Sequence, residues 1–376
     1  MSSKTIQGLD LRTRTRVAVT MQQGRITSIE RVPGDPSPAD PWIAPPLVDL
    51  QVNGFAGIDF QQDDLTLSEL RTAARGLREA ACTRWLLTLI TGEWSRLLDR
   101  ARHLHGIVAA DAGLRSAVAG WHIEGPFLSA EPGFCGAHNP ALMCDPTPGH
   151  LEALREALPG DPILITLAPE RPGSMESIRA AVRLGMRVNL GHTNASADQL
   201  REAVVAGATG FTHLGNGCPQ HLDRHDNILW RVLCQPSLAV SLIPDGIHVS
   251  PSLMTVLHRS LPRESIHYVS DAMSAGGAPP GRYRLGAWEL EVGGDQIVRR
   301  PGTTQFAGSA LRPVDGVFRA AAMTGAPWQE SWLRFSDLPA RRMGLEPGLA
   351  VGAPAEFCLL RVDPQGRLTH LEVVGA

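Results

Sequence analysis

Lysine is almost absent from this chain. Lysine and arginine together number 35, yet Lys4 is the only lysine. Beyond it there is no residue for a Schiff base, a phosphate-loop lysine or a carboxylated lysine bridging two metals. Cysteine is sparse and unpatterned. Cys82, Cys135, Cys144, Cys218, Cys234 and Cys358 form no Cys-x-x-Cys pair and do not space as a disulfide framework. No apolar run approaches the roughly 18 residues of a membrane span. The N-terminal MSSKTIQGLDLRTRTR lacks the apolar core of a secretory signal. A reduced, soluble, cytoplasmic protein is the expectation. The formal net charge of -3 offers no basic surface for nucleic acid or membrane. Gly-x-Ser-x-Gly, Walker A and Gly-x-Gly-x-x-Gly motifs are missing too, which excludes the matching hydrolase elbow, phosphate loop and dinucleotide site.

What is present alternates. Residues 5–32 carry short β-type runs around Gln23-Gly24, and the tail repeats that texture at Glu356–Val362 and Leu368–Val374. The ends, residues 1–48 and 348–376, are expected to form one small β-sandwich domain. The middle, 49–347, alternates strands and helices. Strands are predicted at Trp42–Asn53, Trp85–Ile90, Ala117–Glu124, Pro162–Leu167, Arg187–His192, Ala208–Leu214, Leu238–Ile243 and Ser265–Asp271. Thr66-x-x-Glu69 and Ser196-x-x-Gln199 are capping boxes that open two of the helices. Leu311–Met323 reads as the last helix. Eight strands alternating with helices call for parallel pairing, and the count of eight predicts a closed (β/α)8 TIM-like barrel.

The barrel reading converts isolated polar residues into a group. The third strand ends in Glu124, where Gly125-Pro126 stops the ladder. The fifth ends in His192, the sixth in His213 and the eighth in Asp271, and His248 follows the seventh. All of these would face the carboxyl-end mouth, where barrel enzymes keep their chemistry. Two imidazoles and a carboxylate make a zinc-type ligand set with one position left for water. Asp271 is then placed to serve as the base for that water. One metal ion per chain is expected. Gln51 and Asn53 stand where binuclear sites carry a His-x-His pair, and amides are poor zinc ligands beside imidazole.

The segments LVDLQVNG (47–54), HIEGPF (122–127), GAHNP (136–140), GHTNAS (191–196), THLGN (212–216), DGIHV (245–249), VSDAMSAGG (269–277) and AGSAL (307–311) span the barrel in order. With them the chain resembles the N-acetylglucosamine-6-phosphate deacetylases of the amidohydrolase superfamily. The resemblance implies metal ligands Glu124, His192 and His213, with zinc as the expected ion. It implies Asp271 as acid/base and His138 as a group that polarises the amide and contacts the sugar. Ala137, Asn216, Gly217, Phe306, Ala307 and Gly308 would line the sugar pocket, with His122 behind the ligands. Arg224 and His248 would bind phosphate, Arg224 reaching a neighbouring subunit's site in a homodimer. Asn216-Gly217-Cys218 departs from the family's Asn-Ala-Met, and 219–228 is unlike its usual phosphate loop. The alternatives left open are an N-acetylgalactosamine 6-phosphate substrate, an unphosphorylated N-acetyl sugar, and a non-catalytic binding barrel.

Overall fold

Pro45-Pro46 divides the first apolar run between two sheets. In the computed structural model, which describes residues 3–302, 306–346 and 348–375, Trp42–Ala44 pairs within a sheet built from the chain ends. Leu47–Val52 begins the barrel. The sequence pattern reads Trp42–Asn53 as one strand. Neither proline can donate a ladder N–H, so the pairing changes there.

The end sheet has six strands. It places the C-terminal pair Phe357–Val362 and Leu368–Val374 beside Trp42–Ala44, which in turn pairs with Lys4–Asp10. Arg16–Gln22 and Arg25–Arg31 complete it as an antiparallel hairpin. Alternate residues Val17, Val19 and Met21 point inward onto Ile43 and Phe357. This is the small β domain from both termini that the end texture suggests.

The barrel strands follow in chain order: Leu47–Val52, Cys82–Ile90, Val118–Glu124, Ile163–Leu167, Arg187–Leu190, Gly210–Phe211, Ala239–Leu242 and Ile266–Tyr268. Each runs parallel to the next. The last three are shorter than the apolar runs that announce them. The first and eighth strands are joined by a Val52–Ala272 bridge and by Asn53 N–H donating to the Ala272 carbonyl at 2.7 Å. Lower down, both Asp49 carboxylate oxygens accept from Ser270 N–H at 3.1 Å. A side chain thus substitutes for ladder bonds at the closing seam.

Both predicted capping boxes are present, on Leu67–Glu79 and Ala197–Ala206. Leu70, Ala73 and Leu77 of the first helix are buried against the barrel wall. Among the described residues three α-helices escape the sequence pattern, Ala112–Ala117, Trp328–Arg334 and Asp337–Met343. At two turns or fewer each they are too short to show a period. Ala340 and Met343 pack under Val48, Leu50, Leu86, Leu164 and Val269 and seal the amino end of the barrel. Also unforeseen is a three-stranded antiparallel sheet, Gly281–Leu285, Trp288–Val292 and Val298–Arg299, inserted after the eighth strand.

Candidate active site

Glu124 is the last residue of the third barrel strand and is buried at its carboxyl end. His192 and His213 lie two residues beyond the fifth and sixth strands, and Asp271 three beyond the eighth. All three leave their strands with positive φ, +51° for His192, +32° for His213 and +51° for Asp271. Non-glycine residues seldom adopt that region. The turn bends each side chain back over the barrel mouth.

Three donor atoms converge there. His213 Nε2 lies 2.8 Å from Glu124 Oε1, and His192 Nε2 lies 3.4 Å from the same oxygen. One ligand atom from each residue falls within 4.8 Å of the others, and all three residues are buried. His192 Nδ1 faces the Phe134 carbonyl at 2.9 Å. A carbonyl only accepts, so Nδ1 carries the proton and Nε2 presents its lone pair. Gln51 Nε2 donates to Glu124 Oε2 at 3.0 Å, which fixes the carboxylate plane. Burial pushes the Glu124 carboxyl up, but the neighbouring imidazoles of His192 and His213 overcome this and hold it well below the usual range. The set fits a divalent metal by its chemistry, two imidazoles and one ionised carboxylate. His213 Nδ1 is buried with no partner among the described residues.

Space around His192 is made by glycine. A Cβ on Gly136 would stand 2.8 Å from the His192 ring, and one on Gly217 equally close. Both have left-handed φ, +57° and +61°. The imidazole is held between two backbone segments that no other residue type would let so near.

Asp271 faces the same space. Its Oδ1 accepts from Asn53 Nδ2 at 2.7 Å. Burial pushes its pKa up to about 6, helped by the Glu124 charge and opposed by His213. His138 comes from the loop after the third strand. Its Nδ1 meets Thr91 Oγ1 at 2.8 Å, and its Nε2 lies 3.8 Å from Glu124 Oε2. Burial first, then the neighbouring His192, lowers the His138 pKa to about 3. His138 is therefore a neutral imidazole at any ordinary pH. His122, two residues before Glu124 on the same face, sits one layer down and bonds Thr166 Oγ1 at 2.7 Å.

A cavity of about 620 Å³ opens over these groups. Glu124, His138, His192, His213 and Asp271 line it, with Ala137, Asn216, Gly217, His248, Phe306 and Gly308. His248 is held by Asp245 Oδ2 at 2.6 Å and lies with its ring 5.5 Å from Phe306. Two residues singled out in the sequence stand apart from it. Ala307 is buried in the cluster behind the wall. Arg224 is exposed on the loop before helix Ile228–Leu233 and does not line its own chain's cavity. Four residues support the site in roles the sequence did not assign them: Gln51, Asn53 and Asp245, which lie in the quoted segments, and Thr91, which lies outside them. Each follows a strand or lies near its end, so reading every polar residue there would have found them.

An eight-stranded parallel barrel with a Glu/His/His group that could hold a metal at its strand ends is the arrangement of the amidohydrolase superfamily. The comparisons make the class specific. N-acetylglucosamine-6-phosphate deacetylase of Bos taurus is 33% identical over 350 residues, 88% of this chain and 82% of that one. N-acetylgalactosamine-6-phosphate deacetylase of Escherichia coli O157:H7 is 30% identical over 324 residues, 86% of this chain and 84% of that one. A solved N-acetyl-D-glucosamine-6-phosphate deacetylase of Mycobacterium smegmatis, in complex with N-acetyl-D-glucosamine-6-phosphate, superposes with TM-score 0.87 at 29% identity. The match covers 99% of this chain and 98% of that one. No family model matches the chain. The chain belongs to the N-acetylglucosamine-6-phosphate deacetylase family.

Proposed function

We propose that this protein hydrolyses the N-acetyl group of N-acetylglucosamine 6-phosphate to acetate and glucosamine 6-phosphate. The observation that carries the reading is the convergence of Glu124, His192 and His213 beside Asp271 in one cavity, on a chain of this family. Glu124, His192 and His213 would hold one divalent ion, with zinc expected from the donor set. When bound, such an ion acidifies its water and polarises an amide carbonyl.

The chain's own residues do the rest. Asp271 Oδ1 is committed to Asn53, so Oδ2 is left to take the proton of the attacking water. Asp271 then returns that proton to the departing amine. Thr91 Oγ1 holds the Nδ1 edge of His138, and with its proton on Nε2 the ring would turn that N–H toward the developing oxyanion. Ala137, Asn216, Gly217, Phe306 and Gly308 shape the sugar pocket, with Ala307 supporting Phe306 and Gly308 from behind. His248, fixed by Asp245, binds the phosphate end. Arg224, exposed and outside its own cavity, would complete the phosphate site of the second subunit in a homodimer. We place the reaction in the cytoplasm. Among the described residues no helix is long and apolar enough to cross a membrane.

The similarity to an N-acetylgalactosamine-6-phosphate deacetylase favours a second reading, the same chemistry on the other epimer. Acetate release from N-acetylglucosamine and N-acetylgalactosamine, each with and without 6-phosphate, tests both. The expected result is turnover of the phosphorylated glucosamine sugar well above the other three. No acetate from any of them, with metal present, overturns the reading.

A further inference from the structure

We propose that Trp288, in the sheet inserted after the eighth strand, is a positioning residue that holds His138 in register. The inference rests on the hydrolase reading, which gives His138 its role. His138 sits on an irregular loop, and one peptide unit sets where its side chain begins. The N–H of that unit donates to the Cys135 carbonyl at 3.1 Å, a bond inside the loop itself. The carbonyl of the same unit belongs to Ala137 and accepts from Trp288 Nε1–H at 2.9 Å. Trp288 therefore ties the His138 peptide plane to an element outside the loop. The Thr91 bond then sets the ring. Backbone anchored on one side and imidazole on the other, His138 has little freedom to drift.

The tryptophan is itself braced. Like Ile90, Ala137 and Tyr283, it packs against the buried cluster that includes Leu285 and Leu290 of the same sheet. The Arg300 guanidinium lies 3.9 Å above the ring. The sheet is pinned to the barrel by Gly286 N–H donating to Asp59 Oδ2 at 2.8 Å. From the same hairpin Leu285 lines the cavity. The inserted sheet thus forms one wall of the site and sets the height of the His138 loop. Displacing a catalytic group by about 1 Å can cost on the order of 100-fold in rate. Losing one tether of several should cost less.

Trp288→Phe keeps an aromatic ring in the packed position and removes the N–H together with the five-membered part of the indole. The expected result is a roughly tenfold fall in kcat with KM within about twofold. In a His138→Ala background the same change should have no further effect, because a residue that acts through His138 has nothing left to position. An unchanged kcat, or the same loss in both backgrounds, overturns the proposal. A second readout needs no turnover. With 15N-labelled histidine, Trp288→Phe should shift the His138 ring signals and leave those of His258, which is bonded to Tyr268 and Met254. Unmoved His138 signals also overturn it. Should the wild type release no acetate from any sugar, the hydrolase reading falls, and the histidine spectra alone decide whether Trp288 holds the loop.

Discussion

Asp271 leaves its strand in a backbone region that L-residues avoid, as His192 and His213 do. Each such residue costs of order 1–3 kcal/mol, which the surrounding hydrogen bonds must offset. For His213, its N–H donates to Ser241 Oγ at 2.7 Å. For Asp271, its carbonyl accepts from Ser309 N–H at 3.0 Å. At the mouth, the strain falls on the residues that must turn over it. Asp271→Asn keeps the size of the side chain but cannot take a proton. Its kcat should fall roughly 10²–10⁴-fold, the usual scale of general acid–base catalysis, with metal content unchanged. Steady-state kinetics and metal analysis together check this, since loss of metal would assign Asp271 to the scaffold instead. Burial raises the Asp271 pKa to about 6, and the base must be ionised. The kcat/KM profile should therefore fall as pH drops through about 6. His138, already neutral above about 3, adds no limb of its own near neutrality.

The seam between the first and eighth strands is the element on which the mouth depends, because Asn53 and Asp271 sit just beyond it. Asp49 closes it with a fully buried carboxyl that accepts Ser270 N–H on both oxygens. Burial, opposed by those hydrogen bonds, pushes the Asp49 pKa up to about 7 from 3.8. A folded pKa above the unfolded one means that the folded chain holds the proton more tightly. The contribution is complete below about pH 4 and fades as pH rises through 7. Asp49→Asn should flatten that decline, seen as a smaller loss of urea midpoint between about pH 4 and 7. The capping boxes and the strand order were legible because they are local. Thr66 and Glu69, or Ser196 and Gln199, are three residues apart and bond one another. The inserted sheet was not legible. Its alternation in Arg282–Val292 is read easily only if the strand–helix rhythm is not assumed to continue, and nothing nearby in sequence says that Trp288 reaches Ala137.

Across the whole molecule, the end sheet and the barrel are joined by side chains distant in sequence. Arg12 from the end domain makes a bidentate pair with Asp337 on the helix that seals the barrel, at 2.7 and 2.8 Å. Its third bond goes to the Leu349 carbonyl at 2.9 Å. Arg12→Ala leaves the mostly buried Asp337 carboxylate unpaired and should cost about 1–3 kcal/mol. A lower urea midpoint with unchanged kcat is the expected outcome, and a loss of activity without loss of stability would contradict it. From composition and pattern alone, the sequence determined the absence of lysine chemistry, the eight-strand count, and Glu124, His192, His213 and Asp271 as residues at strand ends. These are properties of short stretches, set by hydrophobic period and turn residues. Tertiary structure decided that Pro45-Pro46 splits one run between two sheets and that Gln51, Asn53 and Thr91 orient the chemical groups. It also decided that Gly136 and Gly217 enclose His192 and that Arg224 lies outside its own chain's cavity. Those outcomes depend on which distant segments approach within a few ångströms, and a linear pattern does not encode such distances.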